Sequence, residues 1–77
     1  MDIKEFVSNF ASQFDDTDEA VFTAETRFRD IEEWSSLIAL SIIAMVDEEY
    51  DVTLSGDDII NSDTVEDIFN KVVAKKE

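Results

Sequence analysis

The chain has 77 residues, 44% of them apolar, with 20 acidic against six basic side chains and a net charge of −14. That length allows one small domain, residues 1–77, with a thin core, and the apolar fraction argues against a disordered chain despite the charge. Cysteine and histidine are both absent, which excludes disulfides and thiolate–metal sites and leaves general-base and nucleophile roles to carboxylates, lysines or a bare serine. The chain is therefore expected not to be an enzyme. Its acidity repels nucleic acid and anionic membranes and suits basic partner surfaces.

Ile3, Phe6, Val7, Phe10, Ala11 and Phe14 recur at helical spacing and predict an amphipathic first helix. Asp2 is placed to cap it, and Asp15-Asp16-Thr17-Asp18 marks its end. The phenylalanine stripe reads as core. The charged, amphipathic N-terminus does not resemble a signal peptide. No apolar run approaches the roughly 20 residues of a membrane span, so a cytoplasmic protein is expected.

Residues 15–35 read as a long connection in which Val21, Phe22, Phe28, Ile31 and Trp34 are expected to pin an otherwise polar segment to the core. Thr23-Ala24-Glu25-Thr26 could form a turn of helix. Ser35 and Ser36 then sit where loop becomes helix. Serine oxygen caps backbone N–H groups there, and the positive end of the helix dipole favours an anion.

Residues 36–50 form the next predicted helix, with no proline or glycine to break it. At about 100° per residue, Ser41 and Glu48 define a wet face, and Ala39, Ile42, Ile43, Val46 and Tyr50 lie opposite as core. Leu37, Ile38, Ala44 and Met45 fall on or beside the wet face, and a cluster of exposed apolar groups is expected to be a contact surface. Val52-Thr53-Leu54 reads as an extended link, followed by a turn at Gly56 and a short helix over Asp57–Ile60. Asp63 or Thr64 caps a last helix whose core face is Val65, Ile68, Phe69, Val72 and Val73. Lys71, Lys75 and Lys76 suit the dipole at its end. Read as an EF-hand from Asp51, the segment has the right glycine at Gly56 but no bidentate glutamate, so no specific calcium site is expected.

Ser36-Leu37, the helix ending Asp47-Glu48-Glu49-Tyr50-Asp51, Val52-Thr53-Leu54, a short acidic turn and Asp63-Thr64-Val65 together resemble the acyl carrier protein family. The resemblance is continuous from Ser36 to about Val73 and looser back to Asp2. It implies an all-α four-helix bundle with a long first loop and a short third helix, acting as a monomer. It also implies a 4′-phosphopantetheine arm bonded through phosphate to a serine at the start of the second helix. The register back from Asp47-Glu48-Glu49-Tyr50, with leucine next, assigns that serine as Ser36. Ser35 then stands at the position of the family's usual aspartate and is expected to be an N-cap.

The resemblance further implies attachment by a phosphopantetheinyl transferase using coenzyme A and Mg²⁺. The acyl group would ride as a thioester between loading and transferring enzymes of lipid or polyketide biosynthesis. Partner enzymes would meet Leu37, Ile38 and Met45 with an apolar patch and Asp47 and Glu48 with basic residues. The chain differs from the common family pattern in its second helix and in the approach to it. Ser35 replaces the aspartate before the modified serine, Ile38 the acid after Leu37 and Ser41 the acid three residues further on, and Asp30-Ile31-Glu32-Glu33-Trp34 replaces the Asp-Leu-Gly approach. This altered approach is similar to the Trp-Asp-Ser-Leu variant of carriers outside housekeeping fatty acid synthesis, so a specialised pathway is expected. The alternatives are an aminoacyl or D-alanyl carrier, or an unmodified acidic helical adaptor in which Ser36 is only a cap.

Overall fold

The computed structural model describes residues 2–76, which form four α-helices: α1 Ile3–Ala11, α2 Ser36–Tyr50, α3 Gly56–Ile60 and α4 Val65–Lys76. No strand occurs among the described residues; the nearest approach is an isolated bridge between Arg27 and Thr64.

Asp2 caps α1 by accepting from Lys4 N–H at 3.0 Å. The α-helix ends at Ala11, sooner than the apolar stripe predicts. The backbone tightens instead, with Gln13 N–H donating to Phe10 O at 3.1 Å and Phe14 N–H to Ala11 O at 3.0 Å. This tighter winding carries Phe14 to the core side of the chain, where it is buried. Phe10 is the centre of an aromatic cluster, with the rings of Phe6, Phe14, Phe22 and Phe28 between 5.8 and 6.3 Å away. Tilted rings at such distances pack favourably, and both Phe6 and Phe10 are fully buried.

The long connection is pinned at several points. Phe22 and Phe28 are buried, and Ile31 and Trp34 pack against the core. Val21, expected as a further pin, is 51% exposed. It sits in a single 3₁₀ turn, Glu19–Val21, capped by Asp18, and that turn aims its next residue, Phe22, inward. Thr23–Thr26 is a hydrogen-bonded turn rather than a helical one, closed by Thr26 N–H to Thr23 O at 3.2 Å and Thr23 N–H to Thr26 Oγ1 at 2.8 Å. Another 3₁₀ turn spans Phe28–Asp30.

The connection also serves α4. The first N–H groups of a helix lack partners within it. Here Val65 N–H donates to Thr26 O at 3.1 Å and Glu66 N–H to Ala24 O at 2.9 Å. Asp67 N–H donates to Thr64 Oγ1 at 3.1 Å, while the Asp67 carboxylate accepts from the N–H groups of Asp63 and Thr64. Those two backbone donors, with the Thr64 hydroxyl and Lys71 adding to them against a smaller burial effect, hold the Asp67 carboxyl below its ordinary value.

Glu33 closes the connection at its other end. Its carboxylate accepts from Asp15 N–H at 2.7 Å, Asp16 N–H at 3.0 Å and Thr17 Oγ1 at 2.8 Å. Desolvation pushes this carboxyl up, but the Thr17 hydroxyl and the N–H groups of Asp15, Asp16 and Thr17 outweigh it and hold it below its ordinary value. Glu33 thus ties the exit of α1 to the approach to α2.

At the end of α2, Asp51 adopts the left-handed conformation (φ 57°, ψ 40°) and its N–H returns to Asp47 O. Val52 and Leu54 are buried along the extended link. Gly56 is the first residue of α3 rather than part of a turn before it, because Ser55 and Asp58 form a reciprocal capping box that starts the helix one residue earlier. The C-terminal lysines do more than face the dipole. Lys71 Nζ donates to Asp58 O and to the buried Ser62 Oγ. Lys75 pairs with Asp58 at 3.4 Å, and Lys76 Nζ donates to Tyr50 O at 2.9 Å, closing the end of α2 onto α4.

Candidate attachment site

The serines at the loop–helix junction divide their roles. Ser35 is extended (φ −156°, ψ 171°), and its Oγ accepts from Ile38 N–H at 3.3 Å, which makes it the N-cap of α2. Ser36 is the first helical residue. It is exposed, and among the described residues its hydroxyl has no hydrogen-bond partner. One serine therefore stabilises the helix, and the other presents a free hydroxyl at its positive end. The first turn of α2 contains no acidic residue, so nothing there opposes an anion at that end.

A shallow groove of about 360 Å³ opens beside Ser36. Trp34, Ala39, Leu40 and Ile43 form one side, Gly56, Ile59 and Ile60 the other, and Arg29 lies at its edge. Trp34 is partly buried, as the sequence predicts, its ring 4.7 Å from that of Phe28. It serves as both anchor and groove wall.

The expected contact surface is partly redrawn. Leu37 is 75% exposed, and Asp47 and Glu48 are exposed on the same helix. Ile38 is partly buried and packs against the core. Met45 is buried at 7% exposure, beside Ile42 and Val46, and so is unavailable to a docking partner. At 3.6 residues per turn, Met45 lies one turn from Ile42 and two from Ile38, on the side facing α1 and α4. A wet face centred on Ser41 falls too near Met45. The exposed apolar residues absent from the sequence-based surface are Leu40, 62% exposed, and Ile60, 68% exposed. Leu40 has a local signal, because it stands four residues after Ser36 and shares its side of the helix, but its exposure is set by how α1 and α4 pack against α2. Ile60 has none, because nothing local says where α3 lies against α2.

Among the described residues no group of three or more acidic side chains could hold a metal ion, and no helix is long and apolar enough to cross a membrane.

The family model for the phosphopantetheine attachment site matches residues 5–72. No curated protein and no solved structure gives a match. The residues present suit the group that this family carries: a free hydroxyl at an unopposed helix N-terminus can accept a phosphodiester, and the adjacent groove leaves space for what hangs from it. The match covers most of the chain, from α1 into α4, and the helical architecture agrees with it. The chain belongs to the phosphopantetheine attachment-site family and is a carrier protein with covalent 4′-phosphopantetheine as its cofactor.

Proposed function

We propose that Ser36 Oγ is the attachment atom and that the protein carries an acyl group for a specialised pathway rather than for housekeeping fatty acid synthesis. The observation behind the attachment is the division between the serines: Ser35 Oγ is committed to Ile38 N–H, and Ser36 Oγ is free and exposed. In the attachment reaction Ser36 Oγ bonds to the phosphorus of the phosphopantetheine half of coenzyme A. Adenosine 3′,5′-bisphosphate leaves, and the hydroxyl proton passes to the transferase. The α2 N-terminus then favours the phosphodiester charge. The arm supplies the thiol that the chain itself lacks. The protein's own residues present the hydroxyl, hold the helix on which it stands, and offer the surface that partners read.

That surface is the basis for the specialised assignment. Leu40 and Ile60 are exposed apolar residues lining the groove, and Leu37 is a third exposed apolar residue, in the first turn of α2, while the acids are displaced to the helix end at Asp47 and Glu48. Rim charges chiefly steer encounter and specificity, and clustered apolar contacts supply more of the affinity. The partner is therefore an acyl-handling enzyme with an apolar docking patch and a few basic residues.

The attachment test is mass measurement after incubation with coenzyme A and a broad-specificity phosphopantetheinyl transferase. One arm should be added to the native protein and to Ser35→Ala, and none to Ser36→Ala. Addition to Ser36→Ala would overturn the assignment. For the pathway, transfer rates with fatty acid synthesis enzymes would be compared between the native protein and the Ser35→Asp, Ser41→Glu double variant. Equal rates, matching those of the host's ordinary carrier, would mark a housekeeping carrier instead. Ile38 is left unchanged in this variant because it packs against the core.

A further inference from the structure

The groove beside Ser36 has one wall on α2 and the other on α3, yet these two helices make little direct contact. α3 is a single short stretch of five residues and cannot hold its position by its own helical stability. Contacts from outside the helix locate it. Its N-terminus is fixed by the Ser55–Asp58 box, and Asp58 is tied to α4 through Lys71 and Lys75. Its C-terminus depends on a side chain from about 30 residues away. Arg29 donates through Nη2 to Ile59 O at 2.8 Å and to Ile60 O, and through Nη1 to Asp63 at 3.3 Å.

The guanidinium stands 5.1 Å from the centre of the Phe28 ring, and Phe28 is itself fully buried. The segment carrying Arg29 is anchored too, since residues 24 and 26 accept backbone hydrogen bonds from α4. Arg29 thus extends from an anchored loop and takes the last carbonyls of α3, where the helix dipole favours a cation; Ile59 O accepts from Ser62 N–H at 3.1 Å as well.

We propose that Arg29 is a positioning residue that latches α3 to the connection before Ser36 and so sets the opening of the groove. Two of the groove-lining residues, Ile59 and Ile60, carry the carbonyls that it holds. With the latch in place, α3 stands apart from α2 and the groove is held open to a defined width. Without it, the end of α3 frays, and the wall formed by Ile59 and Ile60 no longer shields Trp34. The bearing of this on carriage rests on attachment at Ser36. The latch itself does not, and its test uses the protein without an arm.

Trp34 is the only tryptophan and lines the groove, so its fluorescence reports on the groove directly. Acrylamide quenching and amide hydrogen exchange would be measured on the native protein, Arg29→Met, Arg29→Lys and Asp63→Asn. Arg29→Met keeps the aliphatic stem over Phe28 and removes the donors. It should raise Trp34 quenching about twofold and speed exchange of the Ile60 and Asn61 amides roughly tenfold, with α1, the interior of α2 and α4 unchanged. Arg29→Lys should recover part of both effects, because an ammonium can still reach a carbonyl. Asp63→Asn should change little, because it leaves the carbonyl contacts intact. Native-like quenching and exchange in Arg29→Met would overturn the latch. So would a rise in exchange shared equally by all four helices, which would make Arg29 a general stabiliser.

Discussion

Ser35 and Ser36 are adjacent and chemically identical, so substituting each by alanine isolates what position alone does. Ser35→Ala removes the side-chain cap of α2, a bond of 3.3 Å to Ile38 N–H. Loss of a serine cap costs about 0.5–2 kcal/mol, and the length of this bond places it in the lower half of that range, near 1 kcal/mol. For a domain of this size, about 1 kcal/mol corresponds to a fall in melting temperature of roughly 4–8 °C. Ser36→Ala removes an exposed hydroxyl without a partner and inserts a better helix former, so its effect should stay within about 0.5 kcal/mol. Circular dichroism melts of the unmodified proteins, paired with mass measurement after the transferase reaction, give a double dissociation. Ser35→Ala melts lower and accepts the arm; Ser36→Ala melts like the native protein and does not. Equal destabilisation by both substitutions would mean that Ser36 contributes to the cap, and the separation of roles would be wrong.

Packing and charge set three other expectations. Phe10→Ala deletes the ring at the centre of the aromatic cluster and should cost about 3–5 kcal/mol, a large share of the stability of a small domain; a urea-denaturation midpoint close to the native value would contradict the cluster's role. The carboxyls of Glu33 and Asp67 are held below their ordinary values, as is that of Asp58, chiefly by the Ser55 N–H. A depressed carboxyl stabilises the fold above its unfolded value near 4 and loses that contribution as pH falls through the folded value, so Glu33→Gln should flatten the loss of melting temperature on acidification below about pH 5 relative to the native protein; parallel profiles would refute this. With a net charge of −14, millimolar Mg²⁺ and high NaCl should each raise the melting temperature by reducing self-repulsion. The calcium gain should be similar to the magnesium gain, and a large effect of calcium alone would reveal a specific site.

Much of this protein follows from local patterns. The stripe from Ile3 to Ala11, the uninterrupted run from Ser36 to Tyr50 and the capped start at Thr64 identify α1, α2 and α4, because amphipathic periodicity and capping depend on residues a few positions apart. Through the family resemblance, the register from Tyr50 back to Leu37 also makes Ser36 the proposed attachment residue before any fold is known. Other features depend on residues distant in the chain. Val21 and Phe22 are both apolar, and only the 3₁₀ turn stabilised by Asp18 decides which of them points inward. Met45 and Leu40 belong to one helix, and a rotation of that helix exchanges their exposure; the positions of α1 and α4 against it determine that Met45 is buried and Leu40 is free. The Arg29 contacts to α3 span some 30 residues, and no pattern within either segment predicts them. Helix propensity and periodicity are encoded within a few turns of chain, whereas helix rotation, the groove beside Ser36 and the partners of its edge arise from long-range packing and exist only in the folded molecule.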